Sequence, residues 1–147
     1  DLYSDVLSGL LMEYKRRAID KNINLVINFN SEDAQLRGDQ YTVDQIFRQL
    51  LDNAIIFTEI GGISITIFRN NYERLVVEIE DTGVGISKEY FDKIFTPFTQ
   101  EEMGYTRKFD GNGIGLSLVK SYCELNNAII EVESEKGVGS IFRVTFN

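Results

Sequence analysis

Residues 75–86 decide the fold, and they read Leu-Val-Val-Glu-Ile-Glu-Asp-Thr-Gly-Val-Gly-Ile. The first six residues are rich in β-forming side chains and predict a strand, which runs into an acidic, glycine-containing turn at residues 81–85. Upstream, residues 63–68 alternate isoleucine with polar residues, which predicts a second strand. Because residues 70–71 are two asparagines that favour a turn, we expect the two strands to form an antiparallel hairpin.

Helical periodicity flanks this hairpin on both sides, since apolar residues recur at spacings of three and four. The predicted elements are helix 2–18, strand 24–29, helix 43–55, strands 63–68 and 75–80, helical segment 88–94, helix 114–125, and strands 129–132 and 141–146. Asp39 can cap the second helix, which should end near Thr58. The last two strands should form a hairpin around residues 137–139. This order predicts an α+β two-layer sandwich, with one mixed, mostly antiparallel sheet and helices on one face.

The composition narrows the class of protein and of partner. The 147 residues fit one domain, 1–147, and 43% hydrophobic residues are typical of a globular chain. A net charge of −8 argues against nucleic acid or an anionic membrane as a direct partner. Histidine is absent, and the single cysteine, Cys123, fits a small buried hydrophobe rather than a reactive thiol. Without a long apolar run or a signal peptide, we expect a cytoplasmic domain.

Asp81 is the first candidate binding residue, because it stands where a strand runs into a glycine turn. A carboxylate in such a cleft accepts hydrogen bonds only, so it would bind the exocyclic amine of adenine and repel the carbonyl of guanine. Gly83 and Gly85 would let a ligand approach the backbone. The same residues also fit a plain turn, and the hexapeptide alone does not decide between the two.

A second glycine-rich segment, residues 111–116, opens the helix predicted at residues 114–125. A helix N-terminus presents unpaired N–H groups and partial positive charge, so this segment could hold a triphosphate. Arg107 and Lys108 supply nearby positive charge, although a glycine hinge and a solvated surface pair are the plainer alternatives. The long stretch at residues 96–112 is either disordered or a functional lid.

Asn53 is a polar residue at the border of an apolar helix stripe, one turn beyond Gln49 and beside Asp52. Its amide oxygen is a hard ligand of the kind that magnesium takes together with water and phosphate oxygens. An ordinary exposed asparagine is the plainer alternative. The Asp81 turn, the glycine-rich segment and Asn53 are each only suggestive alone. Their order along the chain makes a common function more credible.

Together these residues resemble the ATP-binding domain of sensor histidine kinases, within the GHKL group that includes gyrase-type and chaperone-type ATPases. The resemblance covers nearly the whole chain. Five motifs carry it in order: an N box at residues 45–58, a first glycine box at 81–86, an F box at 91–98, a second glycine box at 111–116 and a closing hairpin at 133–140. The resemblance implies the Bergerat fold, with residues 96–112 as a mobile lid over ATP.

The resemblance also implies the roles of individual residues around Mg-ATP. Asn53 would bind magnesium, Asp81 the adenine amine, and the lid residues Arg107 and Lys108 the phosphates. The catalytic group would comprise Asn53, Gln49, Arg107 and Lys108. The remaining nucleotide-binding residues would be Phe57, Gly83, Gly85, Ile86, Ile94, Gly111, Gly113, Gly115 and Leu116.

Several departures from the family pattern qualify the expected activity. Gln49 occupies the position where hydrolysing ATPases have a glutamate, and an amide cannot deprotonate water, so we expect transfer rather than hydrolysis. Ile56 replaces a lysine that kinases often place near the phosphates, and Asp110 replaces a common glycine. Asn126-Asn127 at the helix end indicates a changed cap.

The expected function is therefore donation of the γ-phosphoryl group of Mg-ATP to a histidine on a separate dimerisation domain. That dimerisation domain, part of the same kinase, would be the direct partner, and a response regulator would be served indirectly. The full-length protein would be a homodimer, and a membrane anchor outside this domain would be compatible with this function. A regulatory module that binds nucleotide without transfer is the alternative, motivated by Ile56 and Gln49. A GHKL-type ATPase is a weaker alternative, because it rests on fold analogy.

Overall fold

Three α-helices and five strands make up the described part of the chain, which comprises residues 1–86, 95 and 115–147 of a computed structural model. The helices are α1 (Ser8–Asp20), α2 (Gln40–Phe57) and α3 (Gly115–Leu125). The strands are β1 (Asn24–Phe29), β2 (Gly62–Arg69), β3 (Leu75–Asp81), β4 (Ala128–Glu135) and β5 (Gly139–Phe146). The predicted segment 88–94 lies outside the described residues.

The five strands form one mixed sheet in the order β1-β2-β3-β5-β4. β1 pairs with β2 in parallel, and the other three neighbouring pairs are antiparallel. The parallel pair requires a crossover, and α2 provides it because it lies between β1 and β2 in the chain. The prediction of an α+β sandwich with a mixed, mostly antiparallel sheet is confirmed.

The core lies between the helices and one face of the sheet. Side chains that share this face occupy matching register positions, so that Ile65 pairs with Ile79 and Ile79 with Phe142. Buried apolar residues of the sheet on this face are Leu25, Ile63, Ile65, Ile67, Leu75, Val77, Ile79, Ala128, Phe142, Val144 and Phe146. The apolar stripe of α2 packs against them, which explains why the alternating strands and the 3.6-residue helix period were both readable in the sequence.

α2 begins and ends as its sequence predicts. The Asp39 carboxylate accepts a hydrogen bond of 2.9 Å from the Thr42 backbone N–H, which satisfies one of the unpaired donors at the helix start. Asn126 Oδ1 accepts the Asp39 N–H at 2.8 Å, and its Nδ2 donates to Thr42 Oγ1 at 2.9 Å. The end of α3 is thereby attached to the start of α2. At the other end, the extended backbone of Thr58 stops α2.

The first helix differs from the prediction in its first turn. Residues Tyr3–Leu7 form a π-helical turn before α1, and α1 continues to Asp20. Leu2 and Leu7 are both buried although they are five residues apart, and the wider π turn brings such a pair onto one face. No helix within the described ranges is both long and apolar enough to cross a membrane.

The carboxyl-terminal hairpin has longer strands than predicted but the predicted turn. Gly137 lies in the left-handed region with φ 87°, and the Val138 N–H donates to the Glu135 carbonyl at 3.0 Å. Between α3 and β4, Asn127 has a φ of 54° and donates its backbone N–H to the Glu124 carbonyl at 3.2 Å. Asn127 therefore serves as the left-handed residue that ends α3, which is the changed cap expected from the sequence.

Candidate functional site

Asp81 ends β3 with a buried carboxylate, and only 7% of the residue is exposed. Its Oδ1 accepts the Gly83 backbone N–H at 2.9 Å. Burial raises the pKa of Asp81 from 3.8 to about 6, although backbone hydrogen bonds from Gly83 and Ser140 oppose the increase and the charge of Glu80 adds to it. A carboxylate with this pKa is ionised at neutral pH and remains an acceptor in a poorly hydrated place.

The glycines after Asp81 allow the turn to pack closely against two other segments of the chain, the end of α2 and the end of β4. A Cβ on Gly83 would overlap the carbonyl oxygen of Phe57 at the end of α2. Gly85 has a φ of 73°, and a Cβ there would overlap the carbonyl of Glu135 at the end of β4. Close packing is thus a sufficient reason for both glycines, independent of any ligand. Contact between their backbone and a nucleotide stays a prediction.

Two serines that the sequence analysis did not select hold the same turn. The Ile86 N–H donates to Ser134 Oγ at 2.7 Å, and Ser134 Oγ donates to the Gly139 carbonyl at 2.9 Å. Since the Ser134 proton is used in that bond, the Ser140 hydroxyl is the donor in its 2.7 Å contact with Ser134. Ser140 is also the cross-strand partner of Asp81. The motif at residues 133–140 contained both serines, but their role required knowledge of the strand pairing.

The other end of the site lies where α2 meets the start of α3. A Cβ on Gly115, the first residue of α3, would lie 2.8 Å from Gln49 Oε1. Gln49, Asn53 and Phe57 follow one another at intervals of one helical turn, and all three are half-buried. α2 therefore connects the part of the site beside Gly115 with the part beside Gly83 over two helical turns, a rise of roughly 12 Å.

The structure thus brings two groups of predicted residues to two places on α2, its last residue and its middle. Asp81 and Gly83 lie beside Phe57, followed by Gly85 against Glu135 of β4, and Gly115 lies beside Gln49 near the middle of α2. Ile86 and Leu116 are partly buried and pack against the core. The predicted residues Ile94, Arg107, Lys108, Gly111 and Gly113 lie outside the described residues, as do the predicted lid 96–112 and most of the F box.

The donor set at Asn53 fits a magnesium ion that also binds phosphate. Among residues 1–86, 95 and 115–147, no group of three or more histidine, cysteine or acidic residues could enclose a metal. A single amide oxygen suits a cation that takes most of its ligands from water and phosphate. Asn53 is the residue that would hold such an ion here.

Comparison with known proteins identifies the class to which this fold and site belong. Residues 38–147 match the family described as histidine kinase-, DNA gyrase B-, and HSP90-like ATPase. The chain belongs to this family, and the resemblance to the ATP-binding domain of sensor histidine kinases is confirmed.

Two relatives connect the chain more closely with histidine kinases. The autoinducer 2 sensor kinase/phosphatase LuxQ of Vibrio harveyi is 34% identical over 149 residues, which cover 97% of this chain and 17% of LuxQ. The circadian input-output histidine kinase CikA of Synechocystis sp. is 37% identical over 127 residues, which cover 85% of this chain and 17% of CikA. The chain therefore spans less than a fifth of these relatives.

Solved structures agree with the family assignment. Full-length ShkA in complex with AMPPNP superimposes with a TM-score of 0.80 at 27% identity, covering 95% of this chain and 29% of that chain. The nucleotide-free catalytic domain of the histidine kinase ThkA gives a TM-score of 0.79 at 25% identity, covering 95% and 88%. The chain thus has the fold of a histidine kinase catalytic domain.

Proposed function

We propose that this chain binds Mg-ATP along α2 and donates the γ-phosphoryl group to a histidine on a separate dimerisation domain of the same kinase. The adenine would lie beside Asp81 at the carboxyl-terminal end of α2, and the phosphates would lie beside Gln49 and Gly115. Family membership and the histidine kinase relatives support this function. The complex of ShkA with AMPPNP, an ATP analogue, supports the choice of nucleotide.

Asp81 carries the specificity for adenine in this proposal. Its carboxylate is held by the Gly83 N–H through one oxygen and presents acceptors only, so it suits a donor such as the exocyclic amine of adenine. Guanine would place a carbonyl against the same carboxylate, and two acceptors repel each other in a poorly hydrated pocket. Phe57, Gly83, Gly85, Ile86, Ile94 and Leu116 would surround the base.

The phosphate end combines a helix N-terminus with amide side chains. The amino-terminal end of α3, whose described residues begin at Gly115, presents N–H groups and a positive dipole end that favour an anion. Asn53 would hold Mg²⁺, with Gln49 one turn away on the same helix face. Gly111, Gly113, Arg107 and Lys108 would complete the phosphate-binding group from the lid.

The transfer step requires an acceptor outside this chain, because the chain has no histidine. A new bond would form between an imidazole nitrogen of the acceptor and the γ-phosphorus, while the bond between that phosphorus and its bridging oxygen breaks and ADP leaves. Positioning and charge neutralisation are the protein's contribution to such a reaction. The kinase would work as a homodimer, in the cytoplasm, and would serve a response regulator through the phosphorylated histidine.

The observation that carries the proposal is the buried, ionisable Asp81 carboxylate at the carboxyl-terminal end of α2, with Gln49 against Gly115 of α3 two helical turns earlier. Incubation with γ-labelled Mg-ATP and a separately produced histidine-bearing dimerisation domain tests it. Acid-labile, base-stable label on the acceptor supports the kinase. Free phosphate released without any acceptor would instead indicate an ATPase, for which only the family membership argues.

A nucleotide-binding regulatory module without transfer is the second candidate. Ile56 favours it, because an isoleucine on α2 can neither neutralise nor hydrogen-bond a phosphate. Under this alternative, the domain binds Mg-ATP and the acceptor remains unlabelled. Ile56→Lys provides a direct comparison, since restored positive charge should raise the transfer rate if the missing lysine limits it.

A further inference from the structure

A polar contact between α1 and α2 lies directly beside the proposed magnesium residue. Tyr14 of α1 donates its hydroxyl to Asp52 Oδ1 at 2.6 Å, and Arg17 donates from a guanidinium nitrogen to the same oxygen at 2.7 Å. The Arg17 guanidinium carbon lies 4.8 Å from the centre of the Tyr14 ring. Asp52 immediately precedes Asn53 on α2, so α1 holds the residue next to Asn53 by two short hydrogen bonds.

The bond from Tyr14 is better protected from water than an ordinary surface contact. Tyr14 is only 1% exposed, and burial together with the hydrogen bond to Asp52 raises the pKa of its hydroxyl, which therefore stays protonated as a donor. The side chains of Arg17 and Asp52 are 39% and 30% exposed. Because two donors from one helix converge on a single carboxylate oxygen, they fix both the position of Asp52 and its direction.

Further contacts continue this attachment on either side of Asp52. One turn before it, Arg48 forms an ion pair of 2.9 Å with Glu13 of α1. Beyond it, Lys21 Nζ donates to the Ile55 carbonyl at 2.6 Å and to the Ile56 carbonyl at 3.1 Å. The positive charge of Lys21 thus faces the carboxyl-terminal end of α2, where the helix dipole is negative. α1 therefore contacts α2 along the whole segment that carries Gln49 and Asn53.

The geometry of a helix links the direction of Asp52 to the position of Asn53. Successive side chains point about 100° apart, so Asn53 points to one side of α1 when Asp52 points toward it. Side-chain tips lie about 5–6 Å from the helix axis, so a roll of about 10° would move the Asn53 amide by about 1 Å. Magnesium demands nearly octahedral geometry at short distances and tolerates such a displacement poorly.

We propose that Asp52, held by Tyr14 and Arg17, is a positioning residue that orients Asn53 toward the magnesium ion of the bound nucleotide. Asp52 acts through its neighbour on α2 and does not itself contact the nucleotide. This inference rests on the proposed Mg-ATP function and adds a named determinant of its metal dependence. The role predicts a selective defect, in which the contribution of magnesium to nucleotide affinity falls while affinity for the nucleotide alone is kept.

Calorimetric titration of ATP, once with excess Mg²⁺ and once with EDTA, tests this role in the wild type and in Asp52→Asn. Loss of the charge-assisted bonds should weaken Mg-ATP binding by about tenfold and change binding in EDTA by less than about twofold. Glu13→Gln is the matched control, because it removes an α1–α2 ion pair without touching Asp52. It should leave both affinities within about twofold of the wild type.

Tyr14→Phe provides a second variant that keeps the buried ring and removes only the hydroxyl, and it should reduce the magnesium effect in the same direction by a smaller factor. Equal losses with and without magnesium in Asp52→Asn, or an unchanged affinity for Mg-ATP, would overturn the positioning role. A wild-type chain that binds no adenine nucleotide under either condition would instead refute the proposed function itself. A wild type that binds ATP equally well in EDTA would remove the metal dependence that the role explains.

Discussion

Asp81→Asn should make the unliganded fold more stable at neutral pH while it weakens nucleotide binding. The folded pKa of about 6 exceeds the ordinary value of 3.8 by about two units. Between these values the folded chain keeps a proton that the unfolded chain loses, so stability falls as the pH rises through this window. Above pH 6 the buried charge therefore costs about 3 kcal/mol. Below pH 3.8 it costs nothing, because both states are protonated.

Asparagine removes this charge but also changes the hydrogen bonding. Its amide oxygen can still accept the Gly83 N–H, whereas the backbone hydrogen bond from Ser140 is lost at a cost of about 1 kcal/mol. We therefore expect a net stabilisation of about 2 kcal/mol at pH 7.5. At pH 4.5 most of this advantage should disappear, since the wild type then gains stability from protonation.

Urea unfolding of the wild type and Asp81→Asn at pH 7.5 and 4.5, without nucleotide, measures both differences. Glu80→Gln is the matched control, because Glu80 is the exposed neighbour of Asp81 on the opposite face of β3, and its change should stay within about 0.5 kcal/mol. With Mg-ATP present, Asp81→Asn should bind at least about tenfold more weakly. A variant less stable than the wild type at pH 7.5, or a stability difference independent of pH, would show that the buried Asp81 charge does not destabilise the fold.

Three further predictions concern the turn at the site, the end of α3 and the effect of pH. Gly85→Ala should destabilise the fold by about 2–4 kcal/mol in urea unfolding, because the added Cβ would overlap the Glu135 carbonyl. Gly137→Ala is the control, because Gly137 is also left-handed but has free space around it, and it should cost only about 1 kcal/mol. Asn127→Gly should stabilise the fold by about 0.5–1 kcal/mol, since glycine has no steric penalty at a φ of 54°. If the melting temperature of this variant does not rise, the idea of a strained cap at Asn127 is contradicted. Affinity for ATP should fall as the pH drops below about 6, because protonation of Asp81 removes an acceptor, and a flat profile from pH 7.5 to 5.5 would argue against this role.

The secondary structure could be predicted because local patterns encode it. The alternation of Ile63, Ile65 and Ile67 identified β2, and the apolar stripe with the Asp39 cap identified α2. The order of the sheet could not be obtained in this way. Nothing in the six residues of β1 specifies that they pair in parallel with β2 rather than with another strand.

Part of the candidate site could also be predicted from local sequence patterns. Asp81 and Asn53 stood out because each is a polar residue at the border of an apolar element. Ser140 did not, since its closeness to Asp81 arises from the pairing of β3 with β5. Asp52 was noted only as the neighbour of Asn53, because its contact with Tyr14, 38 positions earlier in the chain, is visible only in the structure. Contacts between distant segments are determined by packing, which a periodic pattern does not record.

Titration of the wild-type chain with ATP and with GTP, each in excess Mg²⁺, is the sharpest test of adenine binding at Asp81. We expect measurable binding of ATP and at least about tenfold weaker binding of GTP, because a buried carboxylate favours the adenine amine over the guanine carbonyl. Equal affinity for the two nucleotides would contradict the role of Asp81. Absence of any binding heat or affinity for ATP would contradict the proposed nucleotide-binding function.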